Sequence, residues 1–200
     1  MCPTTHSFDR REALERAAEV FRAQGYQGAS IQQLVDQMGI NRAGLYAAFG
    51  DKHGLFCEVI EHYSSGLLEE SQRILRGTGR GLDNLYRYLD FVEKRSLRHP
   101  RQGCLINSTA VEVGTGDQSI NRRISDMLQS VEGAFLEALR QAVREGDLAP
   151  DLDAPALARL LLCFVQGLTV LSKVGMPESY VSDCMRMLRR QIRTLQLSTQ

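Results

Sequence analysis

Asn41, Arg42, Tyr46, Lys52 and His53 carry the densest set of groups that could do chemistry in this chain. An amide, a guanidinium, a phenol, an ammonium and an imidazole are the donors that reach phosphate oxygens and base edges. Ala43 and Gly44, beside them, are small enough to let a backbone approach a groove, and Ser30, Gln32 and Gln33 stand just upstream. Catalytic chemistry has less support. No Gly-x-Ser-x-Gly elbow frames a nucleophile, and the Gly77–Gly81 stretch lacks the lysine and the preceding strand of a phosphate-cradling loop. His53 and Cys57 stand four apart with Glu61 one turn on, a spacing that could hold a metal. No further cluster completes four ligands, so neither metal nor cofactor is expected.

Two short helices must position the polar groups. Ser30 is a good N-cap with Gln33 three residues on, as in a capping box. Ile31, Leu34, Val35 and Met38 follow a helical stripe, and Gly39 permits the left-handed turn that ends it. Asn41 caps the next helix, so Arg42 lies in its first turn, where a recognition helix presents side chains to DNA. Leu45 and Phe49 point inward. Upstream, Leu14, Ala17, Ala18 and Phe21 form the stripe of a helix ending at Gly25; downstream, Asp51 caps a helix that begins with Lys52 and His53.

The rest reads as helix throughout, about nine helices in all. The fourth runs from Asp51 to about Leu75 with Leu55, Val59, Tyr63 and Leu67 inward, and Gly77–Gly81 breaks it. Leu82, Leu85, Leu89 and Val92 stripe the fifth, which His99-Pro100 ends. A short segment spans Cys104 to Val113. Ile120, Ile124, Leu128, Val131, Phe135 and Leu139 mark a long seventh, broken at Glu145-Gly146-Asp147. Asp153 and Pro155 open the eighth, and no strand pattern competes. Leu157 to Val174 is apolar on nearly every face and so must be covered on more than one side, while Arg159, Gln166 and Lys173 argue against a membrane span. Val181, Cys184, Leu188, Ile192 and Leu195 stripe the last helix, with Arg186, Arg189, Arg190 and Arg193 as a solvated face. The last two helices either fill one chain's core or pair with their copies.

Charge constrains how such a protein could hold DNA. Residues 1–50 contain five arginines and five acids, and the whole chain 24 of each sign. Bulk positive charge cannot drive binding through counterion release, so a few placed groups must do it and the salt dependence is modest. Glu12, Glu15 and Glu19 are expected to face solvent. Five cysteines (2, 57, 104, 163 and 184), without a C-x-x-C pair, fit a reducing cytoplasm better than a disulfide framework.

From Arg10 to Phe56 the chain resembles the amino-terminal domain of the TetR/AcrR family of bacterial repressors. The resemblance rests on Arg10-Arg11, Ala17–Phe21, Gly25-Tyr26, Ala29-Ser30-Ile31, Leu34-Val35, Gly39–Tyr46, Phe49, Lys52 and Leu55-Phe56. It implies an all-α fold: a three-helix DNA-binding head with a helix-turn-helix over residues 1–50, and an effector-binding and dimerisation bundle over 51–200. It also implies a homodimer on a palindromic operator, with two heads about 34–36 Å apart or a multiple of that spacing. A small molecule between the fourth helix and the bundle would change the spacing through the Asp51–Tyr63 junction. Candidate pocket residues are Tyr88, Phe91, Cys104, Asn107, Met127, Val131, Phe164, Gln166 and Leu168. Gly103–Asn107 with Lys173 resembles a NemR-like branch in which the cysteine at this place senses oxidants or electrophiles, so Cys104 is either a trigger or an ordinary buried side chain. A helical enzyme or binding module that merely contains the turn is the alternative from another class.

Overall fold

The computed structural model describes residues 8–98, 103–113 and 116–196. Among them are nine helices: α1 (Arg10–Gly28), α2 (Ile31–Met38), α3 (Arg42–Phe49), α4 (Lys52–Leu75), α5 (Gly81–Arg98), α6 (Leu105–Glu112), α7 (Gln118–Arg144), α8 (Ala154–Lys173) and α9 (Glu178–Thr194). The described residues form no strand; Leu148 and Gln196 make one isolated antiparallel bridge. Cys2 and the expected stop at His99-Pro100 lie outside the described residues.

Local chemistry sets the short helices. The Ser30–Gln33 capping box is complete, Gly39 adopts φ 70°, and the Asn41 side chain accepts from the Gly44 amide at 2.7 Å. Asp51 caps α4 in the same way through the Gly54 amide at 2.7 Å. Leu14, Ala17, Ala18, Phe21, Leu34, Val35, Leu45 and Phe49 are buried together as the head's core. Glu12, Glu15 and Glu19 are exposed as expected, and each pairs with an arginine of its own helix.

The body is built on α7. Helices α4, α5 and α8 pack against it, and α9 lies on α5. Gly81 opens α5 where a Cβ would sit 2.3 Å from the Ala138 carbonyl, so only glycine lets the start of α5 come this close to α7. Arg80 seals this end with a two-pronged grip on Asp147 at 2.5 and 2.9 Å. On the last helix Arg186, Arg190 and Arg193 are exposed as expected, and Arg189 departs from that solvated face. Arg189 is mostly covered and donates to both Asp90 and Glu93 at 2.7 Å, fixing α9 to α5.

Helix α8 is covered on one side only within the single chain. Length and hydropathy would let it cross a membrane, yet one side packs on α7 and α5, and Arg159 pairs with Glu132. The other side is bare within one chain: Leu160 is 59 %, Val170 49 % and Val174 71 % exposed.

Candidate nucleic-acid interface and effector cavity

Arg42, Ala43 and Tyr46 stand exposed on one face of α3, while Leu45 and Phe49 anchor the opposite face in the core. Arg42 donates to the Gln32 side chain at 2.9 Å, and Gln32 in turn donates to Asp36 at 2.8 Å. This chain links the two helices of the turn and holds the guanidinium outward. Other predicted contact residues are placed differently. The Asn41 oxygen is spent on the cap, and Ser30 and Gln33 are spent on each other. The Lys52 ammonium lies 4.8 Å from the centre of the Tyr26 ring, a cation–π arrangement at the base of the head.

His53 points toward the body rather than outward. Its Nε2 is 3.2 Å from Oδ2 of Asp117, the N-cap of α7, and 3.4 Å from the Cys57 sulfur. Glu61, the partner suggested by spacing, pairs instead with Arg123. The other Asp117 oxygen accepts from the Ser119 and Ile120 amides and the Ser119 hydroxyl, and these hydrogen bonds hold its carboxyl below the ordinary carboxylate range. Burial pushes the Cys57 thiol up, and Asp117 adds to the shift.

A cavity opens between α4, α5, α7 and α8. Tyr88, Phe91, Cys104, Met127, Val131 and Gln166 line it, all named from sequence. Asn107, Phe164 and Leu168 do not. Asn107 lines the neighbouring cleft and donates to Thr169 at 2.6 Å; Leu168 is buried in the core and Phe164 packs at its edge. Sequence reasoning missed Ser71, Arg95, Ser172 and Arg22. Arg95 follows Tyr88 and Phe91 at helical spacing, so extending that stripe would have found it. Nothing local marks Arg22, an arginine on an amphipathic head helix. Arg95 donates to the Tyr63 hydroxyl at 2.7 Å. Burial raises the Tyr63 and Tyr88 hydroxyls above the ordinary phenol range, so both keep their protons.

Two contacts tie this region to the head. Gly25 breaks α1 at φ 76°, exposing the Tyr26 and Gln27 amides, and the Glu112 carboxylate of α6 accepts both, at 2.8 and 2.7 Å. A Cβ at Gly25 would lie 2.6 Å from that carboxylate. Lys173 donates to Ser108 at 2.6 Å and reaches the Arg22 carbonyl at 3.5 Å. Replacing Glu112 by alanine strips the acceptor from two amides. The expected cost is about 1–2 kcal/mol, with faster hydrogen exchange at Tyr26 and Gln27 measured by NMR. Unchanged exchange would show that the clasp carries no weight.

The chain matches known proteins along most of its length. The model of the tetR family of bacterial regulatory proteins matches residues 13–59, and that of the tetracyclin repressor-like C-terminal domain matches 81–188. An HTH-type transcriptional regulator of Bacillus subtilis strain 168, YezE, is 32% identical over 84% of this chain and 87% of its own length. The regulator CifR, solved as a cysteine mutant with a 26-base-pair operator duplex, is 30% identical, with a TM-score of 0.74 over 90% of this chain and 97% of that one. Reduced NemR of Escherichia coli has a TM-score of 0.80 over 96% of this chain and 100% of its own, but at 14% identity it speaks for the fold and not for a NemR-like branch. These relatives are regulators of transcription, which removes the reading of a helical enzyme. The chain belongs to the TetR family, and is a DNA-binding transcriptional regulator with an amino-terminal helix-turn-helix.

Proposed function

We propose that the protein is a dimeric repressor of the cytoplasm that leaves a palindromic operator when a small molecule fills the cavity. The division runs near residue 50, with the head before it and the effector-binding and dimerisation bundle after it. One observation carries the reading: Arg22, on a helix of the head, lines the same cavity as Tyr88, Phe91 and Met127 of the body. A ligand there touches both parts at once and can favour one head orientation over another, the differential affinity that release requires. Among the described residues, the lining combines apolar walls with Arg22 and Arg95 and has no acidic side chain, which suits an apolar molecule bearing an anionic or hydrogen-bond-accepting group.

The test is a gel shift with the DNA upstream of the protein's own gene, repeated over a panel of small molecules and oxidants. Arg42→Ala and Tyr46→Phe should each weaken binding, Arg42→Ala by about ten-fold or more for a lost guanidinium contact. Binding that ignores both substitutions would overturn the reading. A second trigger is favoured by the position of Cys104. It lines both the cavity and the cleft beside α6, and its side chain makes no capping hydrogen bond at the start of that helix. An electrophile that releases DNA from wild type but not from Cys104→Ser would establish that trigger; equal release from both would remove it.

A further inference from the structure

His53, Cys57 and Asp117 meet where the head joins the body, and their ligand atoms all lie within 4.8 Å of one another. We infer that they form a site for a zinc-class divalent cation, with water as the fourth ligand. Geometry is the first argument. A tetrahedral zinc ion with ordinary bond lengths sets its nitrogen and oxygen ligands about 3.3 Å apart and its nitrogen and sulfur ligands about 3.5 Å apart. The observed separations are 3.2 Å for His53–Asp117 and 3.4 Å for His53–Cys57. Two edges of the tetrahedron are therefore already set, and only the Cys57–Asp117 edge has to close.

Preparation of the ligands is the second argument. Asp117 spends one oxygen on three hydrogen bonds at the start of α7, which fixes the carboxylate and leaves the other oxygen facing His53. His53 and Cys57 lie one turn apart on α4, so helical geometry holds them on one face. The nearby cations are engaged elsewhere: Arg123 pairs with Glu61, and Lys52 sits over Tyr26. His53 is half-exposed while Asp117 is mostly covered, which leaves a wet side for entry and for the water ligand. On binding, the cation displaces the Cys57 thiol proton to solvent. The thiolate and the carboxylate then balance its two charges, and no redox partner is needed.

Location gives the site its consequence. Two ligands belong to the first turns of α4, which carries the head, and the third belongs to the cap of α7 in the body. A bound ion staples one to the other, so cation binding and head orientation are linked. This input is separate from the cavity and does not depend on what fills it.

Cobalt(II) is the probe, added to the full-length protein. The expected result is one ion per chain, with a thiolate-to-cobalt charge-transfer band, the visible bands of a tetrahedral site, and displacement by Zn²⁺. Cys57→Ser removes the charge-transfer band. Asp117→Asn, which keeps an oxygen for the cap, weakens binding by at least about ten-fold. Cys104→Ser leaves the spectrum intact. Zn²⁺ should also raise the unfolding midpoint of wild type but not of Cys57→Ser. Absence of a thiolate band in wild type, or a band that survives in Cys57→Ser, overturns the assignment.

Discussion

Leu160→Asp combined with Val170→Asp should yield a folded monomer whose operator affinity falls by about a thousand-fold. Both side chains are about half exposed or more in the single chain, so charging them costs the isolated fold little. The pattern around them shows what is lost. Ala156, Leu160, Cys163, Gly167 and Val170 are all exposed on α8, at alternating spacings of four and three. That is the seam a helix presents to a partner helix. On α9, Tyr180 and Met187 are also exposed. Four helices, two from each chain, would close such a face and supply the second cover that α8 lacks. An aspartate buried there without a partner is strongly unfavourable. A monomer then holds one half-site, and the loss of the second, tethered head removes a factor of about 10²–10⁴ in avidity. Sedimentation velocity gives the mass, circular dichroism the fold and a gel shift the affinity. A double variant that stays dimeric would place the interface elsewhere.

How much the chain disclosed in advance depends on how far apart the interacting residues are. Ser30, Gln33, Gly39, Asn41 and Asp51 act on backbone within four residues of themselves, so their types alone specify the ends of α2, α3 and α4. Tyr88, Phe91, Met127 and Val131 could be named as cavity walls from their types, as large apolar or aromatic side chains on the amphipathic helices α5 and α7. Contacts across the chain had no such signal. Glu112 meets Tyr26 and Gln27 only because α6 crosses the broken end of α1, and Asp117 meets His53 only because the cap of α7 lands on α4. On α8 the apolar character was legible but the rotation of the helix was not. Val165, Thr169 and Ser172 face the cavity with Gln166, which turns Leu168 into the core. A helix apolar all round offers no polar edge from which to tell its faces apart.

Phe56→Ala should cost about 3–5 kcal/mol and loosen the head from the body. Phe56 is 1 % exposed on α4, and its ring meets Phe21 of α1 edge-on at 4.8 Å and Tyr26 at 4.6 Å. Phe21 is fully buried, so truncating its neighbour leaves a void that the core of a small head has little scope to fill. The edge-to-face pairing adds about 0.5–1.5 kcal/mol beyond the buried area. Against a total stability of about 5–15 kcal/mol for a typical domain, this is enough to change the order of unfolding. The head should melt first, and calorimetry should show the unfolding of the variant split, or broadened toward low temperature, relative to wild type. Operator binding should weaken with it, because α3 packs on α4, the helix whose first turns this cluster fixes. Phe56→Leu keeps most of the volume and should cost about 1 kcal/mol while keeping the wild-type unfolding profile. A loss below about 1 kcal/mol in Phe56→Ala would mean that head and body are joined mainly by polar contacts such as the Glu112 clasp. In that case Glu112→Ala, and not Phe56→Ala, should be the substitution that frees the head.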